Sequence, residues 1–267
     1  MKRVLTFLSD FGSNSPYPAA VKAVAAHITD ARFVDITHEI RAHDIQEGAF
    51  VLWCVARYYP AGTVHCAVVD PGVGTQRRGL ILTSGEQYFV GPDNGLLSAA
   101  AQSLGNPYAC EITNSPYVRS AMSSTFHGRD VFAPAAAHLA NGVPLQEIGF
   151  PITDWTRPEY DFQGGRFLKE ARELQGRVIY LDRFGNAITN IPAKLVEKHM
   201  SFDQELLLRR HGQEVPVRLR RSYGFALHRE LCLVFDSHDL LEIAVREGNA
   251  QETLGLQLGE RVTLRLA

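Results

Sequence analysis

Apolar residues recur along the first third of the chain in two rhythms that alternate. Val4–Leu8 is a short apolar run that stops at Ser9-Asp10-Phe11-Gly12, after which Ala19–Ile28 spaces its apolar residues as a helix does. Phe33–Ile36 reads as the next strand and Ile45–Tyr59 as the next helix; Thr63–Val69 is a continuous apolar strand. Leu80–Thr83 and Gln87–Val90 predict two further strands around a Ser-Gly turn, and Val131–Asn141 a later helix. Strands alternating with helices predict an α/β layer with a mostly parallel sheet. Ligands collect at the carboxyl ends of such strands, where Asp10 and Asp70 fall.

The rhythm changes past the middle. Pro151–Gly165 mixes Pro, Gly, Asp and Thr with little period and reads as a linker. Beyond it come short β-like runs at Gly176–Leu181, Leu206–Arg210, Val215–Leu219, Leu231–Phe235, Leu240–Val245 and Arg261–Leu266, with little helix between them. The expected organisation is an N-terminal α/β domain over 1–158 and a smaller all-β, barrel-like domain over 159–267, with the linker at about 151–170.

Composition narrows the partners. With 267 residues, 45% hydrophobic and 21% charged, the chain has the makings of ordinary globular domains. Its 27 basic and 29 acidic residues leave a net charge of -2, so no whole-molecule field collects nucleic acid or an anionic membrane, and a small-molecule partner is expected. Cys54, Cys66, Cys110 and Cys232 are scattered and lie mostly in apolar runs, which reads as buried free thiols. The N-terminus meets an acidic residue by position 10, too early for a signal-peptide core, and no apolar run approaches the roughly 20 residues of a membrane span. Cytoplasmic residence is the expectation.

Four polar clusters interrupt the apolar segments: Ser9-Asp10-Phe11-Gly12, Asp70-Pro71-Gly72-Val73-Gly74-Thr75 with Arg77, Thr125-Phe126-His127-Gly128-Arg129-Asp130, and Asp182-Arg183-Phe184-Gly185-Asn186. Each joins a charge to a glycine, a pairing that serves turns as readily as ligands. The ten histidines include no H-E-x-x-H, and no Cys/His group has structural-zinc spacing, so no metal is expected. The glycines of Pro71–Thr75 lack both the Lys-Ser/Thr of a P-loop and the third glycine of a dinucleotide fingerprint. Trp53 and Trp155 read as packing residues.

Taken together the clusters resemble one family, the S-adenosyl-L-methionine hydroxide adenosyltransferases, relatives of enzymes that fluorinate or chlorinate the same ribose carbon. The likeness spans nearly the whole chain. It runs through Ser-Asp-Phe-Gly at 9–12, Asp-Ile-Thr-His-Glu-Ile at 35–40, Asp-Ile-Gln-Glu-Gly-Ala at 44–49, Val-Asp-Pro-Gly-Val-Gly-Thr at 69–75 and Gly-Pro-Asp-Asn-Gly-Leu-Leu at 91–97. It continues through Phe-His-Gly-Arg-Asp at 126–130, Asp-Arg-Phe-Gly-Asn at 182–186 and Glu-Ile-Ala-Val at 242–245. The resemblance implies an α/β domain followed by a β-barrel, assembled as a homotrimer with active sites between neighbouring subunits. It also implies cleavage of S-adenosyl-L-methionine, without a cofactor, to adenosine and L-methionine by attack of hydroxide at C5′.

By that likeness Asp70, Arg77 and His127 handle the water. Water is a poor nucleophile, with a pKa of about 15.7, whereas a thioether leaving a sulfonium departs easily, so activation belongs on the nucleophile. A histidine near its ordinary pKa of about 6.5 can accept a proton, with Asp70 orienting it or the water and Arg77 steadying hydroxide or the carboxylate. The resemblance places Asp10 on the ribose hydroxyls, Tyr17 and Phe126 in the substrate pocket, Asp182 on the methionine ammonium, Asn186 on an adenine edge and Phe184 on a face of the nucleoside. Ser237 and His238 align with positions that meet the methionine carboxylate, although Asp-Ser-His-Asp departs there from the usual Ser-Gly-Tyr-like pattern. Ser15 stands where relatives often carry Asp. The tyrosine, threonine and serine that surround halide in the halogenating relatives fall at Asp70, Val73 and Gly128, and a carboxylate at 70 repels halide. A halogenase is therefore disfavoured, and a nucleoside-binding protein with little turnover is the other alternative.

Overall fold

The computed structural model describes residues 3–158 and 160–266, with the side chain of Ser115 left aside; Glu159, where the second domain was expected to begin, lies outside the described residues. The chain divides into two compact units, 1–160 and 161–267.

The first unit carries β1 (Val4–Ser9), α1 (Tyr17–Ala26), β2 (Arg32–Thr37), α2 (Ile45–Ala56), β3 (Val64–Val68), β4 (Gly79–Ser84), β5 (Gln87–Pro92), α3 (Ser98–Ser103), β6 (Tyr108–Ile112), α4 (Ala133–Ala140), α5 (Leu145–Ile148) and β7 (Gly149–Ile152). Its seven strands form one sheet in the order β2-β1-β3-β5-β4-β6-β7. The pairings β1 with β2, β1 with β3 and β3 with β5 are parallel. Beyond β5 the pairings are antiparallel. The sheet is thus mixed, and the mostly parallel expectation describes its first half. The reversal begins at the β4–β5 hairpin, where Gly85 and Glu86 both take positive φ (55° and 62°), as a two-residue hairpin turn of the primed kind requires.

The chain leaves β1 toward β2 on one side and then returns past β1 to β3 on the other. The carboxyl ends of β1 and β3 therefore flank the point where strand order reverses, the place at which open α/β sheets form a crevice. Ser9 pairs with Val68, so Asp10 and the Asp70 loop leave two neighbouring strands side by side. The core beneath is apolar and closed: Leu5, Phe7, Val64, Cys66, Val90, Phe132 and Leu139 are buried.

The second unit carries β8 (Arg166–Leu168), β9 (Glu173–Leu181), β10 (Ala187–Pro192), α6 (Ala193–Glu197), β11 (Glu205–Arg210), β12 (Gln213–Leu219), β13 (Leu231–Phe235), β14 (Leu240–Val245), α7 (Ala250–Leu254) and β15 (Arg261–Leu266). Pairing of β10 with both β14 and β9 closes seven strands into a barrel, with β8 added outside β9. Alternate residues such as Leu174, Leu206, Leu208, Val217, Leu233, Ile243 and Leu264 point inward and are buried, and closure removes the sheet edges. The stretch read as a linker is partly ordered: Pro151 and Ile152 end β7, where proline is tolerated because the strand is an edge, and residues 166–168 form β8. Among the described residues no helix is long and apolar enough to cross a membrane.

One buried histidine couples the sheet to pH. In the middle of the sheet Gln87 gives both amide protons to backbone carbonyls of Ala56 and Tyr59, so its Oε1 must accept from His65 Nε2 at 2.9 Å. The Thr6 hydroxyl then donates to His65 Nδ1 at 2.8 Å, which fixes a neutral ring. Burial pushes the His65 pKa down to about 4, against a smaller upward pull from Gln87. A depressed histidine leaves the unfolded chain binding more protons, so its stability contribution is full above pH 6.5 and is lost as pH falls toward 4, by up to about 3 kcal/mol. Urea unfolding of wild type at pH 7 and pH 5 will show that loss. In His65→Asn stability is lower at pH 7, and the same pH step has a smaller effect.

Candidate active site

Asp70 is placed by a run of tight turns. Val73 N donates to Asp70 O and Thr75 N to Gly72 O, and these turns carry the chain from the end of β3 round to Arg77. Gly74 takes φ +77°, and a Cβ there would strike the backbone carbonyl of Ser124, so the loop can lie against 124–127 only with glycine at that position. His127 precedes a π-helical turn at Gly128–Phe132 that runs into α4. Buried Asp130 anchors this segment: it accepts from Arg129 Nε at 2.7 Å and Nη2 at 2.8 Å and from Ser123 N at 2.8 Å, with Arg119 3.5 Å away. Burial pushes the Asp130 carboxyl up, but the Arg129 and Ser123 hydrogen bonds and the two cations outweigh it, and the net shift is downward.

Arg77 ties the two segments together. Its Nε donates to Asp70 Oδ1 at 2.9 Å and Oδ2 at 3.1 Å, its Nη2 donates to Asp70 Oδ2, and the same Nη2 donates to His127 Nδ1 at 2.8 Å. The guanidinium lies over the Phe132 ring at 5.0 Å, and the Asp70 and Arg77 side chains are only 6% and 13% exposed. A guanidinium can only donate, so His127 Nδ1 accepts and, in the neutral ring, Nε2 carries the proton. Burial and the Arg77 charge push the His127 pKa below its ordinary value, against upward pulls from Asp70 and Asp130. The imidazole that the sequence casts as proton acceptor thus has its one acceptor atom already engaged.

A cavity of about 280 Å³ opens beside this trio, lined among others by Asp10, Phe11, Tyr17, His43, Asp70, Val73, Phe126 and His127. Phe11, Tyr17 and Phe126 pack edge to face, with centroids 5.2 to 6.1 Å apart. Asp10 Oδ2 accepts from His43 N at 3.0 Å. His43 holds φ +66° just before Asp44, which caps α2 by accepting from Glu47 N. A Cβ at Gly128 would sit 3.0 Å from Phe11 Cζ, so this wall has little room for a larger residue. The structure therefore brings Asp10, Tyr17, Asp70, Phe126 and His127 to one cavity, with Arg77 behind Asp70. Phe11, His43 and Phe132 were not singled out in the sequence. Phe11 sits inside a quoted motif, but neither a main-chain donor nor an aromatic floor leaves a pattern in residue order.

In the second unit Asp182, Phe184 and Asn186 form one turn between β9 and β10. Asp182 Oδ1 accepts from Phe184 N and Asn186 N, both at 2.8 Å, and Oδ2 accepts from Asn186 Nδ2 at 3.0 Å. Gly185, at φ +80°, lies so close to the Asn249 side chain that no Cβ fits. Phe184 projects outward, 69% exposed. Ser237 and His238 lie in the β13–β14 turn, where His238 N donates to Asp236 Oδ1 at 2.8 Å. Tyr223, which the sequence did not single out, and Glu242 of the 242–245 motif sit nearby: Tyr223 donates to Glu242 Oε1 at 2.5 Å, and burial, with the charges of Asp182 and Asp236, pushes Glu242 up to about 7 against that hydrogen bond.

An α/β domain with a carboxylate–guanidinium–imidazole trio at its strand-order reversal, followed by a closed barrel, is the build of a two-domain enzyme acting on a small molecule. Matches to known proteins specify it further. Residues 5–149 match the SAM hydroxide adenosyltransferase N-terminal domain and residues 176–263 the C-terminal domain of the same family. An (R)-S-adenosyl-L-methionine hydrolase of Thermus thermophilus is 38% identical over 98% of this chain and 99% of its own, and one of Salinispora tropica is 36% identical over 97% and 96%. A fluorinase of an Actinoplanes species is more distant, 27% identical over 73% of this chain and 74% of its own. An uncharacterised conserved protein of Thermotoga maritima superposes with a TM-score of 0.91 at 35% identity, covering 97% of this chain and 99% of that one. The chain belongs to the SAM hydroxide adenosyltransferase family.

The Asp130 anchor gives a testable contrast. Asp130→Asn removes a buried charge beside two arginines and is expected to cost about 3 kcal/mol in denaturant unfolding. Asp154, whose side chain is 75% exposed in its pair with Arg78, is expected to tolerate the same replacement with no measurable loss.

Proposed function

We propose that the chain hydrolyses S-adenosyl-L-methionine to adenosine and L-methionine, with Asp70, Arg77 and His127 organising the attacking water. The observation that carries this reading is the guanidinium of Arg77 bonded at once to Asp70 and to His127, at the wall of a cavity that also presents Asp10 and Tyr17. The names of the relatives specify the R configuration at sulfur, and we assign that epimer to this chain.

Water oxygen attacks C5′ in line with sulfur; the C5′–O bond forms, the C5′–S bond breaks, and its electron pair returns to sulfur as a neutral thioether. One water proton must leave. With His127 Nδ1 taken by Arg77, the acceptor facing that proton is Asp70, which still has lone pairs beyond those given to Arg77. His127 steadies Arg77 and offers Nε2–H to the water oxygen. Arg77 keeps the carboxylate fixed in place, so little reorganisation accompanies reaction. Because the leaving group is already good, this chemistry needs no cofactor.

Asp10 has one oxygen anchored by His43 N and can turn the other to the ribose hydroxyls. Asn186 commits one amide proton to Asp182, which orients the amide, and its Oδ1 is an acceptor suited to an exocyclic amine such as that of adenine. Asp182 is assigned to the ammonium, Phe184 to a nucleoside face, and Ser237 and His238 to the carboxylate end. The cavity of about 280 Å³ lies at the small end of ligand pockets, which fits a site completed by further residues; we assign these to a homotrimer with active sites between subunits, residing in the cytoplasm. The aspartate at 70 and the close packing at Gly128 stand against halide as nucleophile.

Three outcomes test this. In H₂¹⁸O the label enters the adenosine 5′-hydroxyl and not methionine, with the R epimer at sulfur consumed faster than the S epimer; tight binding without product would instead indicate a binding protein. Arg77→Lys, which cannot hold both partners with one planar fork, lowers kcat by about 10²-fold or more. Because the neutral His127 ring accepts from Arg77 and its pKa is depressed, kcat/KM keeps its plateau as pH falls to 6.5 and drops only below it. An acid limb above pH 7 would contradict the assigned tautomer.

A further inference from the structure

The outer face of the barrel carries a polar row that the adenosyl chemistry does not use. Register places Arg209 opposite Thr263, Thr263 opposite Gln175 and Gln175 opposite Arg166, so four neighbouring strands, β11, β15, β9 and β8, present these side chains in line. The alternate residues Leu208, Leu264 and Leu174 face inward and are buried, which fixes the row on the outside. Two residues along the same face, Arg177 stands directly opposite Arg261. Like charges in that relation lie about 5 Å apart at Cβ and repel, so the fold holds an arrangement that an anion would relieve.

Counter-charge is incomplete. Arg209 pairs with Glu173 at 2.8 Å and Arg210 with Glu260 at 2.6 Å. Among the described residues Arg166, Arg177 and Arg261 have no carboxylate partner; Arg177 instead donates to the carbonyl of Gly259 at 3.0 Å. The surface here is concave: two cavities of about 590 and 260 Å³ adjoin and share Gln175 and Arg261. The larger lies within the usual range of small-ligand sites. Gly212 and Gly259 border it at positive φ with open space where a Cβ would be, so the main chain itself is open to a ligand. No Phe, Tyr or Trp lines either cavity, which removes the stacking platforms that single-stranded nucleic acids use. Gln175 lies seven residues before Asp182, roughly 20 Å along β9, so the groove is separate from the turn assigned to substrate.

We propose that this groove binds a condensed phosphate chain, with Arg166, Arg177 and Arg261 as its principal ligands. Planar guanidinium forks match phosphate oxygens two at a time, and several in a row favour a chain of linked phosphates over a single one. Free oligophosphate and the triphosphate of a nucleotide share this chemistry, and the lining without aromatic residues favours the phosphate chain alone.

Isothermal titration of the intact protein with inorganic tripolyphosphate, orthophosphate and ATP at matched ionic strength tests the proposal. Tripolyphosphate is expected to bind at least about tenfold tighter than orthophosphate, ATP no tighter than tripolyphosphate, and added salt to weaken both. Arg177→Ala and Arg261→Ala should each weaken tripolyphosphate about fivefold or more, with thermal unfolding unchanged because both side chains are exposed. Arg166→Ala, on the added strand β8, gives an independent reading should either variant prove unstable. Absence of saturable binding, equal affinity for orthophosphate, clearly tighter binding of ATP, or full affinity in the Arg177→Ala/Arg261→Ala double variant would each overturn it.

Discussion

One guanidinium organises the wall of the cavity in the first unit. Arg77 supplies a two-pronged bond to Asp70, a third bond to His127 and a flat face to Phe132, and no other side chain combines those geometries. Each partner comes from a different stretch: Asp70 from the end of β3, Arg77 from the loop that returns toward β4, His127 from the turn before α4. The consequence is chemical as well as structural. Because an arginine can only donate, it decides the tautomer of the neutral His127 ring, and its charge joins burial in lowering that histidine's pKa and so favouring the neutral form.

The trio sits where it does because of strand order. Parallel strands entering from the same side bring their carboxyl ends to one edge, and the reversal at β1 and β3 opens a crevice there. Asp10 and Asp70 occupy the two lips of that gap. Small side chains and glycines then let the loops approach: Gly74 against Ser124, Gly128 against Phe11. An extra Cβ at either place would move a loop that lines the cavity, so the placing of Asp70 and His127 depends on backbone choices made beside them.

Much of this was legible in residue order, and the reason is periodicity. The apolar runs behind β1, β3, β5 and β13 and the helical spacing of α1 and α2 announce themselves because their cores are buried on predictable faces. Elements that escaped are short or interrupted: β6, β7, β8 and β10 carry Pro, Gly or polar residues and owe their existence to a neighbouring strand rather than to their own pattern. Pro151 looked like a linker residue and proves to be an edge-strand proline. At the site, charged residues beside glycines stood out, whereas Phe132 beneath Arg77 and the main-chain N–H of His43 could not, because their role follows from where loops meet. The tautomer of His127 was likewise invisible until its neighbour on Nδ1 was known.

The Asp182 turn shows why a structural and a binding reading of one residue need not compete. A carboxylate has about four acceptor positions, and three are filled by Phe184 N, Asn186 N and Asn186 Nδ2. Those bonds hold the turn rigid and, by orienting the amide of Asn186, leave an oxygen of that side chain for a ligand donor. The position left on Asp182 is an acceptor with fixed direction beside the buried Glu242, whose own pKa is raised partly by the Asp182 charge. The negative charges of Asp182 and Asp236 beside Glu242 act in the same direction as its burial, so the turn and the buried carboxyl behind it are electrostatically linked.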